Sequence, residues 1–94
     1  MNEALIILAE ECAEVQVEVS KILRFGAEEG NLKNLEKEIG DVIAMMAILA
    51  HQGIINEDVI MRRVPSKLRK LKKYSDIKDL DIIIDRLNTI EKIP

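Results

Sequence analysis

A chain of 94 residues has room for one domain with a limited core of its own. It has no Trp, one Phe (Phe25) and one Tyr (Tyr74), so burial must come from Leu, Ile, Val, Ala and Met. The formal charge of −3 selects no class of partner, and the single Cys12 excludes both an internal disulfide and a cysteine-based metal site. Small aliphatic helical proteins often complete their core by association, so a homo-oligomer is expected. Acids at Glu3, Glu10 and Glu11 are unlike a signal peptide, and no stretch reaches the roughly 18–20 apolar residues needed to span a bilayer. The expectation is a cytoplasmic protein with no membrane contact.

Residues 3–24 read as one amphipathic helix. Leu5, Leu8, Cys12, Val15, Val19 and Ile22 recur at alternating steps of three and four, and no Gly or Pro interrupts them. The pattern breaks over residues 25–31, where Gly26 and Gly30 suit positive φ and Asn31 can cap a second helix. That helix is predicted from Leu32 to Gln52, with a stripe of Leu35, Ile39, Val42, Met46 and Leu49 and with Gly53 just past its end. Asn56 can cap a third helix, whose first turn holds Glu57 and Asp58 where the helix dipole favours acids.

Pro65 either kinks this third helix or opens a new one, and the helical pattern continues from Ser66 to Tyr74. Residues 80–87 read as a last helix, with a strand as the alternative because of the run Ile82-Ile83-Ile84. The fold class is all-α: an antiparallel helical bundle with the first two helices as its leading pair. Residues 1–74 form the main domain and residues 75–94 a helical extension.

Two acidic pairs stand out, Glu11/Glu14 on the first helix and Glu38/Asp41 on the second. Side chains three apart on a helix point the same way, and an antiparallel pair lets two such motifs face each other. Oxygen donors in that number suit Mg²⁺ or Mn²⁺ rather than zinc. At about 100° per residue, Glu38 falls within the arc of Leu35, Val42, Met45 and Leu49. Asp41 and Glu11 lie at the edges of their stripes, and Glu14 lies one step further out.

A carboxylate pressed against apolar surface is costly unless it is paired or metal-bound, and several together repel. A divalent ion resolves both problems; Lys21 or Lys37 is the alternative neutraliser. Glu10, Glu18 and Glu36 read as solvated. Gly40 marks either a close approach by a neighbour or a tolerated defect, and His51, well past the acids, reads as structural.

Residues 62–73 carry Arg62, Arg63, Lys67, Arg69, Lys70, Lys72 and Lys73 with no acid among them. Such a run can be solvated surface, a source of phosphate contacts, or the face of a nucleic-acid-binding module.

The segment Glu10-Glu11-Cys12-Ala13-Glu14, followed by Glu38-Ile39-Gly40-Asp41-Val42, resembles the EExxE…ExxD signature of the MazG-like all-α nucleoside triphosphate pyrophosphohydrolases. The resemblance covers roughly residues 4–74 and is closest to the short, phage-like members. It implies an enzyme that splits an NTP or dNTP between the α and β phosphates. By motif position it makes Glu11, Glu14, Glu38 and Asp41 the Mg²⁺ ligands, with Glu10 orienting a ligand or water.

It further implies substrate contacts from Lys21, Phe25, Arg63, Lys67 and Lys70, and assembly as a homodimer or homotetramer. The tryptophans that sandwich a base in larger members are missing here, which leaves Phe25 and Tyr74 as the aromatics able to stack. The competing readings are the nucleic-acid-binding module of residues 62–73 and a non-catalytic nucleotide- or metal-binding regulator.

Overall fold

A computed structural model of the chain describes residues 2–91. It contains four helices, α1 (Glu3–Phe25), α2 (Glu29–His51), α3 (Glu57–Tyr74) and α4 (Leu80–Glu91), and no strand among the described residues. The all-α expectation holds, and the strand alternative for residues 80–87 falls away. No helix among the described residues is long and apolar enough to cross a membrane. The chain divides into two compact units, Met1–Ile55 and Asn56–Pro94; the extension expected over residues 75–94 ends at 92–94, outside the described residues.

The first unit is the α1/α2 hairpin. Gly26, at φ 101°, occupies backbone space that side-chain-bearing residues avoid, and its N–H donates to the Ile22 carbonyl to end α1. Phe25 is thus the last residue of α1 rather than the first of the turn. The second helix starts at Glu29, three residues before the expected Leu32. Asn31 is therefore not a cap; it sits inside the first turn, and its Nδ2 donates to the Gly26 carbonyl at 3.0 Å. Gly30 is helical, so only Gly26 of the two turn glycines takes positive φ.

At the other end, Asn2 caps α1. Its Oδ1 accepts from the Ala4 and Leu5 N–H groups at 2.8 and 3.3 Å, while its Nδ2 donates to Gln52 Oε1 at 3.0 Å. Gly53, at φ 74°, lets the chain leave α2 as expected.

The seam of the hairpin differs from the most apolar stripe of α1. Ala4, Leu8, Glu11, Val15, Glu18 and Ile22 are buried or half-buried, whereas Leu5, Cys12 and Val19 are exposed. The opposing residues of α2 are Asn31, Leu35, Glu38, Val42, Met45 and Leu49, with Ile39 exposed. Both sets alternate steps of four and three, the period of helices packed nearly antiparallel. Apolar contact concentrates at the open end, where Ala4, Met45 and the fully buried Leu49 pack with Ile7, Leu8 and Ile55. Further along the seam, glutamates take the places that Leu would otherwise fill.

The second unit is α3 followed by α4. Asn56 Oδ1 accepts from the Val59 N–H at 3.2 Å, with Glu57 and Asp58 in the first turn, as the sequence predicts. Pro65 starts no new helix; α3 runs through it unbroken, although the proline ring supplies no N–H to the turn before it. Lys72 Nζ reaches Asp81 Oδ1 at 2.7 Å across the α3–α4 turn, where Asp79 adopts φ 64°.

Candidate functional site

Glu11, Glu38 and Asp41 converge in the α1/α2 hairpin. One carboxylate oxygen from each lies within 4.8 Å of the others, and all three residues are half-buried. The regularity of the two helices produces this arrangement. Glu11 and Glu38 hold seam positions, so each points at the opposite helix, and Asp41 follows Glu38 by one turn on the same side. The inward position expected for Glu38 is realised, with 14% of its side chain exposed.

Partial burial and the crowding of like charge both act on Glu11. Its carboxyl is raised above the ordinary value of 4.5, first by partial burial and then by the Asp41, Glu38 and Glu14 carboxylates, with a hydrogen bond to Glu38 adding to the effect. Neutralisation from within the chain is weak. Lys37 Nζ stands 3.8 Å from Glu38 Oε1, but 73% of the Lys37 side chain is exposed, so water screens the pair. Lys21 turns instead to Glu18, at 3.2 Å.

This donor set fits a hard divalent cation. Three carboxylate oxygens gather at one point, their mutual repulsion is only weakly offset by the solvent-screened Lys37, and among the described residues no imidazole or thiol joins them.

Other residues picked out by the sequence lie around this centre or apart from it. Glu14 is exposed and stands outside the trio, close enough to raise Glu11. Glu10 is exposed on α1. Phe25 ends α1 with 63% exposure, and the Arg24 guanidinium lies over its ring, 5.0 Å from the centroid. Arg63, Lys67 and Lys70 are exposed on α3 in the second unit, where Arg63 and Lys67 flank an apolar strip of Val59, Ile60, Val64 and Leu68. His51 is exposed in the last turn of α2. An added Cβ at Gly40 would meet nothing within 4 Å, so within the described residues no neighbour approaches it closely.

One reading of the sequence is corrected. Glu18 is not solvated; it is 6% exposed, the one buried charged residue among those described. The available signal was its spacing. Glu18 follows Glu11 by seven residues, two helical turns along the same face, but the apolar stripe of Leu5, Cys12 and Val19 drew the helix face one step aside.

Fold and acids together define an all-α protein whose leading helical hairpin carries a carboxylate cluster suited to a divalent cation. Residues 2–75 match the MazG nucleotide pyrophosphohydrolase domain, and the chain belongs to that family. No curated protein and no solved structure matches the chain at a significant level.

Proposed function

We propose that the chain is a Mg²⁺-dependent nucleoside triphosphate pyrophosphohydrolase, releasing a nucleoside monophosphate and pyrophosphate from an NTP or dNTP. The observation that carries this reading is the convergence of Glu11, Glu38 and Asp41 within a MazG domain. Glu11, Glu38 and Asp41 would hold the ion, and Glu14 completes the ligand set from one turn along α1. When bound, the ion (Mn²⁺ as an alternative to Mg²⁺) supplies charge neutralisation for the phosphate oxygens.

The chain's own groups do the rest. The half-buried seam limits water around Glu11, Glu38 and Asp41, which strengthens the interactions among these three acids. Glu10, exposed beside Glu11, orients a ligand or water. Within the hairpin, Lys21 supplies a phosphate contact and Phe25 offers an aromatic face to the base; Arg63, Lys67 and Lys70 of α3 are phosphate-binding candidates by the resemblance.

The exposed apolar side chains of the hairpin, Leu5, Val19, Ile39 and Ile43, support assembly with further copies as a homodimer or homotetramer. We place the protein in the cytoplasm, with the nucleotide pool that such a reaction would clear.

The test is direct. The protein is incubated with each NTP and dNTP in the presence of Mg²⁺, and monophosphate and pyrophosphate are followed. Hydrolysis of at least one triphosphate, lost in Glu38→Gln and Asp41→Asn while helicity is retained, supports the reading. Absence of hydrolysis across the panel, together with salt-sensitive binding of DNA or RNA, would favour the nucleic-acid module of residues 62–73 instead.

A further inference from the structure

Glu18 has no part in the acid cluster, yet among the described residues it is the one buried charged side chain. Its Oε1 lies 3.2 Å from Lys21 Nζ, and its Oε2 is enclosed without a hydrogen-bond partner among the described residues. A buried carboxylate is costly unless a cation stays with it. Glu18 therefore binds its lysine under a constraint that exposed pairs lack. Lys33 and Glu29 make a contact of the same 3.2 Å length, but with 69% and 84% of their side chains exposed, solvent leaves that pair loose.

Lys21 itself is only half covered. Its side chain is 46% exposed, and an ammonium has three protons to donate, so the bond to Glu18 leaves donors facing solvent. The direction of the bond matters as well. Helical side chains lean toward the N-terminus, and Glu18 lies one turn N-terminal of Lys21. The pair thus draws the ammonium back along α1, toward the acids.

Distances along the helix follow from its rise of about 1.5 Å per residue. The level of Glu18 is about 6 Å from that of Glu14 and about 10 Å from that of Glu11. Around the axis, Glu18 falls within about 20° of Glu11. Glu14 and Lys21, both exposed, fall within about 20° of each other on the flank beside the seam, so a polyphosphate anchored at the acid cluster can span that interval past Glu14.

We propose that Glu18 is a positioning residue: it pins the Lys21 ammonium one to two helical turns from the acid cluster, where Lys21 binds a non-bridging oxygen of the substrate's phosphate chain. This rests on the pyrophosphohydrolase reading above and adds to it the residue that fixes the phosphate-binding cation. Glu18 touches no substrate; it acts through Lys21.

The test uses the full chain with Mg²⁺, measuring calorimetric affinity for inorganic triphosphate and steady-state kinetics on the triphosphates of the hydrolysis panel. Lys21→Met is expected to raise both Kd and KM about tenfold, the size of one charge-assisted hydrogen bond, with kcat within about twofold. Lys21→Arg restores most of the affinity. Glu18→Gln raises KM about threefold in the wild-type background and adds nothing in the Lys21→Met background, because its effect passes through the lysine.

A structural role alone would move Tm and leave Kd and KM unchanged, and that result overturns the proposal. So does an additive double variant, which would show that Glu18 does not act through Lys21. Should Glu18→Gln fail to fold, the half-exposed Lys21→Met still decides whether the ammonium binds phosphate. Wild-type hydrolysis with silent variants sinks this inference alone; a wild-type protein that neither binds nor cleaves any triphosphate with Mg²⁺ sinks the pyrophosphohydrolase reading with it.

Discussion

Glu11 and Glu38 face each other from opposite helices of the hairpin, close enough to share a hydrogen bond, with Asp41 completing a group of carboxylates within 4.8 Å. Side chains at such seam positions ordinarily hold two helices together. These two repel unless a proton or a cation lies between them.

Mg²⁺ is expected to stabilise the folded protein by binding it in preference to the unfolded chain, which scatters the acids. At a metal concentration about a hundredfold above Kd the linkage is worth about 2.7 kcal/mol, which corresponds to a Tm rise on the order of 10 °C for a domain of this size. Glu38→Gln should lose most of that rise. Calorimetric scans with EDTA and with millimolar Mg²⁺ check it, and equal shifts in the two proteins would remove Glu38 from the site.

The raised carboxyl of Glu11 fixes a sign for pH. An acid whose folded-state pKa lies above its unfolded value takes up a proton more readily when folded. Its charge therefore opposes folding at neutral pH, and that opposition fades as pH falls through the folded pKa toward the ordinary value of 4.5. Metal-free protein should gain Tm from this group as pH is lowered from neutrality toward the ordinary value of 4.5. Glu11→Gln should raise Tm at pH 7 and reduce the pH dependence, which thermal scans of both proteins in chelator will show.

Gly40 stands between Glu38 and Asp41 in the middle of α2, with open space where a Cβ would go. Alanine there removes the backbone entropy that glycine loses on folding, a gain of about 0.5–1 kcal/mol. Gly40→Ala is predicted to raise Tm by a few degrees. A loss of stability would mean that a second copy or a ligand comes against this face.

Inward placement of Glu38 was legible because α2 is long and regular, so a helical wheel positions each residue with little error. Glu18, read as solvated, lies in the seam instead. The α1 helix carries two overlapping apolar arcs, and a wheel shows both without saying which one meets α2. Leu5, Cys12 and Val19 made the more hydrophobic arc, yet it faces outward, and the seam runs through Ala4, Glu11 and Glu18. Asn31 failed for a local reason. It has the chemistry of a cap, but Glu28 and Glu29 already suit a helix N-terminus and the helix begins there. The basic residues of α3 were legible as a charged face, but charge spacing within one helix carries no information about what that face meets.

Asn2 offers a test of how the hairpin is closed. Asn2→Ala removes both the α1 cap and the bond to Gln52 and should cost about 1 kcal/mol or slightly more. Asn2→Asp keeps the capping oxygen, improves its charge at the helix N-terminus and loses only the donor to Gln52. Chemical denaturation should rank Asp near wild type and Ala well below it. A reversed order would show that the contact with Gln52, rather than the cap, secures this end.

Glutamates in the seam also bear on how long the protein survives. Proteases cut chains that open, and under fast opening and reclosing the rate follows the open population. A hairpin seamed with Leu would open at a rate indifferent to its ionic surroundings. With Glu11 and Glu38 in those positions, a divalent cation held between them would lower the open fraction, and susceptibility to digestion would then read out metal supply. Under limitation of that cation, turnover of the protein would rise.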